Sequence, residues 1–276
     1  MDEEYLGFKD LCLTDEQLAM CYSKDECPSF GCVMNEYLIV RNADDEIVDQ
    51  FRRTENKFER VTSKTINTRY SGKVKPRNIH QQLAIDMLYN PDITVKMLAG
   101  KYGTGKDMLM SAVATDLLEK GKYEKIVYVR NNIEVKDSKP IGHLPGTYNE
   151  KLMPYAAVLA DKLGGQDSLE MMIGQGRIEI VHLGFIRGRD LKNSIVYCSE
   201  AENMTKEHFQ LLLGRIGEGS ILMINGDCRQ TDMEIFKNNS GMKIALERLA
   251  GHPRFGYVKL MKTERSETAA MADLLD

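Results

Sequence analysis

The stretch Thr94-Val-Lys-Met-Leu-Ala-Gly100-Lys-Tyr-Gly-Thr-Gly105-Lys106-Asp107 decides the fold. Thr94–Ala99 reads as a short, mostly apolar strand, and residues 105–120, rich in Met, Leu and Ala, read as the helix after it. Between them lie three glycines within six residues and then a lysine, in the spacing GxxxxGK. Glycines let the backbone turn tightly enough for successive N–H groups to converge on phosphate oxygens. The helix N-terminus adds its positive end, and Lys106 supplies a mobile charge for the β and γ phosphates. The junction therefore reads as a phosphate-binding loop. Its candidate contacts with ATP are Gly100, Lys101, Tyr102, Gly103, Thr104, Gly105, Lys106, Asp107 and Met108. Asp107 is unusual, because a Ser or Thr hydroxyl normally stands there to hold Mg²⁺. A carboxylate so close to a triphosphate repels it unless a metal lies between them.

Working outward, His80–Asn90 reads as a helix stopped by Asn90-Pro91. Further strands are expected at Lys125–Val129, Arg177–Val181, Ser194–Cys198, Ser220–Ile224 and Tyr257–Met261, with a helix near 206–213. Short apolar strands separated by helices predict an α/β fold, a RecA-like P-loop core whose mostly parallel sheet is covered on both faces. Upstream, Glu36–Arg41 and Glu46–Phe51 are β-type runs flanking the turn-like Asn42–Asp45. Residues 1–75 are thus expected to form a small, partly β module, and residues 76–276 the ATPase domain.

Among 276 residues, 41 are acidic, 37 basic and 42% hydrophobic, which excludes a disordered or fibrous chain. No run approaches the roughly 18 apolar residues of a membrane helix. The acidic N-terminus lacks the basic start and apolar stretch of a signal peptide, so the expected location is cytoplasmic. Six cysteines are too few for a disulfide scaffold at this length. Cys21, Cys27 and Cys32 lack the CxxC spacing of a zinc knuckle and are expected as free thiols. The charge is unevenly spread. Residues 1–30 carry eight acidic and two basic side chains, whereas 51–77 carry nine basic and two acidic. The basic segment 52–77 suits a polyanion such as nucleic acid; its other reading is a solvated strand face.

Two later motifs complete a hydrolytic site. Ser194–Cys198 runs into Ser199-Glu200-Ala-Glu202-Asn203, the form of a Walker B strand and its loop. There an Asp usually holds the Mg²⁺ shell and the next Glu orients the attacking water. Glu200 stands in the second place, but Ser199 occupies the first. Asp107 and Ser199 therefore read as an exchanged pair of metal-holding residues, one carboxylate and one hydroxyl with their places swapped. Gly226-Asp227-Cys-Arg-Gln230, after the apolar Ile221–Ile224, reads as a γ-phosphate sensor in which Asp227 reaches the metal-water shell and Gln230 detects phosphate.

The chain resembles the PhoH-like ATPases, specifically the ATPase part of proteins that join a PIN nuclease domain to PhoH. The resemblance runs over roughly residues 33–276 and rests on NEYLIVR (35–41), KPRNIHQQLAIDMLYNPDI (75–93), LAGKYGTGKD (98–107), IGHLPGTYNEKLMPY (141–155), FIRGRDLKNSIVYCSEAENMT (185–205), GRIGEGSILMINGDCRQTD (214–232), NNSGM (238–242) and FGYVKLMKTERSE (255–267). The 30-odd residues ahead of the matched region are too short for the nuclease domain. The family pattern has Thr at 107, Asp at 199 and Gln at 202, so this chain departs from it at three positions around the phosphates. The resemblance implies Mg²⁺-dependent ATP hydrolysis by Lys106, Glu200, Asp227, Gln230 and Arg265, with Gln81 reading the adenine edge. It also implies single-stranded RNA or another nucleic acid as partner, and a homo-oligomer in which Arg215 acts across a subunit contact or is a surface ion-pair partner. Arg130, Lys136, Lys139, Arg187, Arg189 and Lys192 form a candidate rim for the nucleic acid, with Tyr102, Tyr148 and Tyr155 as stacking candidates. The alternative is a catalytically weak, nucleotide-gated RNA-binding or assembly protein, such as a phage accessory protein.

Overall fold

The computed structural model describes residues 4–23, 27–130, 156–227 and 239–264. The first strands, β1 (Phe8–Cys12), β2 (Tyr37–Arg41), β3 (Ile47–Arg53) and β4 (Phe58–Arg60), form one sheet in that order. β1 runs parallel to β2, which the helix α1 (Asp15–Cys21) makes possible by returning the chain; the other pairings are antiparallel. Tyr37 to Val40 are all buried because β2 is covered on both faces. Its period-two alternation sends Leu38 and Val40 into a small core with Cys21, Cys27, Cys32, Phe51 and Phe58. Tyr37 and Ile39 enter a larger core on the other side. Among the described residues Cys12, Cys21, Cys27, Cys32 and Cys198 are free thiols.

A hairpin of β5 (Ile66–Thr68) and β6 (Gly72–Val74) leads to α2 (Ile79–Tyr89), β7 (Val95–Gly100), α3 (Lys106–Glu119) and β8 (Lys125–Arg130). Then come α4 (Ala157–Lys162), α5 (Gln166–Gly174), β9 (Ile178–His182), β10 (Ser194–Cys198), α6 (Lys206–Leu213), β11 (Ile221–Gly226), α7 (Gly241–Leu249) and β12 (Phe255–Leu260). The last six strands make an all-parallel sheet ordered β12-β7-β11-β10-β8-β9. β11 therefore lies between the phosphate-loop strand β7 and the acidic strand β10. Alternate residues face opposite cores. Leu98, Ile126, Tyr128, Ile195, Tyr197 and Met223 meet α2 and α3, whereas Met97, Val127, Val196, Leu222 and Ile224 meet α6 and α7.

Lys96 is an exception within β7, only 1% exposed. Its ammonium donates to Met87 O, Leu88 O and Asn90 O at 3.0, 2.7 and 2.5 Å, satisfying the carbonyls that end α2. The expected last strand begins two residues earlier, at Phe255. β1, α1, the three-residue strands β4–β6, and helices α4, α5 and α7 are additions to the sequence reading. No helix among the described residues is long and apolar enough to cross a membrane.

Candidate nucleotide-binding site

The loop between β7 and α3 is shaped by glycine. Gly105 is the N-cap of α3 at φ +94°, and a Cβ there would lie 2.9 Å from Gln81 Nε2. Gly100 also has positive φ, and a Cβ on it would meet Leu260 O at 2.7 Å. No side chain caps α3. By contrast, Asn78 caps α2 and Thr205 closes a capping box on α6. The first N–H groups of α3 have no acceptor within the helix, so its start is suited to phosphate oxygens.

Three contacts brace this loop. Gln81 is fully buried; its amide accepts from Arg77 N at 2.9 Å and donates to Thr104 O at 2.9 Å. The residue expected at the adenine edge thus ties α2 to the loop. Glu264 N donates to Gly103 O at 2.9 Å, and Asn78 Nδ2 to Glu264 Oε1 at 2.9 Å. Lys106 is 9% exposed, with its ammonium on Gly100 O and Lys101 O, the latter at 2.9 Å. The side chain folds back along its own loop rather than standing in solvent. Tyr102 is exposed, its ring centroid 6.0 Å from Lys106 Nζ.

The tips of the neighbouring strands hold the acidic residues. Asp107 Oδ1 accepts from Asn225 Nδ2 at 2.7 Å, so β11 holds the first residue of the exchanged pair. Ser199 Oγ lies 2.8 Å from Tyr128 OH, so β8 holds the second. Two residues on, Arg130 makes an ion pair with Glu200. Glu200 has a left-handed backbone at φ +57°. Glu202, 8% exposed, accepts from Asp227 N at 3.1 Å. Its approach needs Gly226, where a Cβ would come 2.5 Å from Glu202 Oε2. Burial pushes the Glu202 carboxyl up to about 7, against the pull of the Asp227 N–H and the Lys106 charge. Gln230 and Arg265 lie outside the described residues, as do Lys136, Lys139, Tyr148 and Tyr155.

A PhoH-like protein family model matches residues 73–273. The chain belongs to this family. PhoH2 of Bacillus subtilis (strain 168) is 32% identical over 296 aligned positions, covering 99% of this chain and 65% of that protein. PhoH2 of Thermobispora bispora is 32% identical over 202 positions, covering 72% of this chain and 46% of its own. The chain thus spans about half to two thirds of the length of these relatives. Among solved structures, Pif1 helicase from Candida albicans superposes over 73% of this chain and 44% of its own, at a TM-score of 0.39 and 15% identity.

In this PhoH-like chain the candidate metal-holding residues Asp107, Ser199 and Asp227 would offer oxygen donors only, the kind Mg²⁺ takes. Asp107 uses Oδ1 toward Asn225, and a carboxylate offers a second oxygen to a cation. Asp227 places another carboxylate, 6% exposed, at the end of β11. These residues fit a divalent cation carried in with a triphosphate, since Mg²⁺ is usually held by one or two carboxylates together with substrate phosphates and water. Asn225, Tyr128 and Arg130 are the contributors that the sequence reading left out of the site; it placed Arg130 on the nucleic-acid rim. Arg189 of that rim turns to Glu179 at 2.7 and 3.1 Å, and Lys192 lies 3.2 Å from Asp190. Arg215, half-buried, donates to Arg189 O at 3.5 Å.

Proposed function

We propose that this protein binds Mg²⁺–ATP at the β7–α3 junction, hydrolyses it, and directs the cycle at single-stranded RNA. The observation that carries this reading is the glycine-built, uncapped start of α3 with Lys106 in its first turn. In the reaction a water attacks the γ-phosphorus and its proton passes to Glu200. The bond from phosphorus to the β–γ bridging oxygen breaks, and its electron pair leaves with ADP. Lys106 and the loop N–H groups take up the charge that develops on the phosphate oxygens. Asp107 and Ser199, with Asp227, would hold Mg²⁺, which when bound offsets the charge of the phosphates.

The RNA part of the proposal rests on the basic segment, whose charge the fold divides. Arg52, Arg60 and Lys64 pair with Glu59, Asp49 and Asp86, and Arg53 is buried. Arg69, Lys73, Lys75 and Arg77 are exposed on and beside the β5–β6 hairpin. They are the positions best suited to phosphates of a single strand.

A second reading, a nucleotide-gated RNA-binding or assembly protein with negligible turnover, is favoured by the protein partners already on Ser199 and Glu200. Phosphate release from the purified protein with Mg²⁺–ATP, with and without single-stranded RNA, separates the two. Release above that of Glu200→Gln, and faster with RNA, supports the enzyme. Binding of ATP with release equal to that variant supports the binder.

A further inference from the structure

Glu200 is a non-glycine residue in the left-handed region, a conformation that persists only where its surroundings enforce it. The turn that follows, closed by Asn203 N donating to Glu200 O at 3.2 Å, holds the backbone, and β8 holds the side chains. In the β8–β10 register Val129 stands opposite Cys198, which brings the end of β8 level with Ser199 and Glu200. Tyr128 and Arg130, two apart on one strand, project from the same face. They grip two consecutive residues, Tyr128 at the Ser199 hydroxyl and Arg130 at the Glu200 carboxylate. The grip is lopsided in its access to water. The Arg130 side chain is 15% exposed and that of Glu200 48%, so a sheltered guanidinium holds a carboxylate that reaches into solvent. A base must stand within about 2.6–3.2 Å of the oxygen whose proton it takes. A carboxylate drawn to the tip of β8 has to leave Arg130 before it can orient water at the β7–α3 junction, beyond β11.

We propose that Arg130 is a positioning residue that sets the resting place of Glu200, and that this ion pair must open for ATP turnover. The inference rests on the hydrolysis reading above. Glu200 is the two-position element, parked on Arg130 at rest and turned toward water in the reaction. The Arg130→Met change keeps the apolar stem and removes the charge, and Arg130→Lys keeps a charge without the fork.

The test combines steady-state ATP hydrolysis with amide hydrogen exchange of the segment 199–204 in the full chain. Arg130→Met is expected to speed exchange in that segment and to raise kcat about two- to fivefold with little change in KM, the scale of a partly exposed ion pair. Arg130→Lys should fall between it and the parent. Glu200→Gln should speed exchange as Arg130→Met does, and combining the two should add nothing further. Exchange unchanged in Arg130→Met overturns the inference while leaving hydrolysis intact. Faster exchange with a lowered kcat also overturns it, because Arg130 is then needed in the reaction itself. Faster exchange in Arg130→Met, with phosphate released by neither that variant nor the parent, overturns the hydrolysis reading and the gate together.

Discussion

The tips of β7 and β10 lie one strand apart and present their functional groups in opposite ways. At β7 the groups are backbone N–H donors aimed by glycine, and the contacts around them, the Gln81 side-chain amide and the Glu264 backbone N–H among them, act as braces. At β10 the groups are side chains, and each is held by a side chain or a backbone N–H from a neighbouring strand or loop. Tyr128 holds Ser199, Arg130 holds Glu200, and the Asp227 N–H holds Glu202. Asp107 belongs to the first tip by sequence and to the second by chemistry, since Asn225 of β11 holds it. A backbone-built site tolerates changes nearby as long as its glycines remain. A site built from paired side chains changes whenever either partner does.

The largest expected effect bears on the β10 tip. Glu202 is raised above the ordinary carboxylate range, so the folded state binds its proton more tightly than the unfolded state does. Stability is therefore greatest below the ordinary carboxylate pKa, falls as pH climbs toward about 7, and is level above it. Glu202→Gln removes the charge and should stabilise the protein by up to about 3 kcal/mol near pH 8, and by little near pH 4. Urea midpoints at the two pH values check this; an equal shift at both would mean that the carboxyl is not burdened by burial.

Next comes the β7 tip. Lys106→Ala should weaken ATP binding by roughly ten- to a hundredfold, the worth of a charge-assisted contact of about 1.5–3 kcal/mol. Calorimetric titration reads the affinity, and circular dichroism must show a folded chain, because this lysine also bonds its own loop. Unchanged affinity in a folded variant would remove the lysine from the site.

The double-mutant cycle of Asp107→Thr and Ser199→Asp probes the bridge between the tips. Coupling of about 0.5–3 kcal/mol in kcat/KM is expected of residues that share one cation. Additive effects would show two independent positions, each answering only to its own partner, Asn225 or Tyr128.

The smallest effect belongs to the hairpin. Replacing Arg69, Lys73, Lys75 and Arg77 by Gln should flatten the slope of log K against log salt for single-stranded RNA by up to roughly 0.7 per charge. Substitution is the sound probe here. Deleting residues 1–72 would strip Phe8, Tyr37, Ile39, Val61 and Ile66 from the core that α2 and α3 share. A full slope in the substituted protein would move the RNA contact elsewhere.

The same contrast explains what the sequence disclosed. The β7–α3 junction was legible because glycine spacing encodes backbone shape directly, and the parallel strands were legible from their apolar runs. The holders of the acidic residues were not, since Tyr128 and Arg130 become relevant to Ser199 and Glu200 only through strand order. One trace was available for Asn225. It ends the run Ile221-Leu-Met-Ile-Asn225 on the face shared by Ile221 and Met223, a polar group at a core-facing position. Only the family resemblance marks out Gln81 in the sequence, and its burial against Thr104 O follows from how α2 packs beside the loop. The three-residue strands β4–β6 are too short to display a period.

Lys96 and Gln81 together fasten α2 to the β7–loop unit at both ends, one through the carbonyls closing the helix and the other through Thr104 O. A helix pinned twice to the same strand and loop has no independent opening motion. Its amides and those of β7 should therefore exchange with solvent in one shared event, with a common free energy and a common response to bound nucleotide. Tension applied at the phosphate loop would reach Asn90, at the far end of α2, without any side chain between them having to change rotamer.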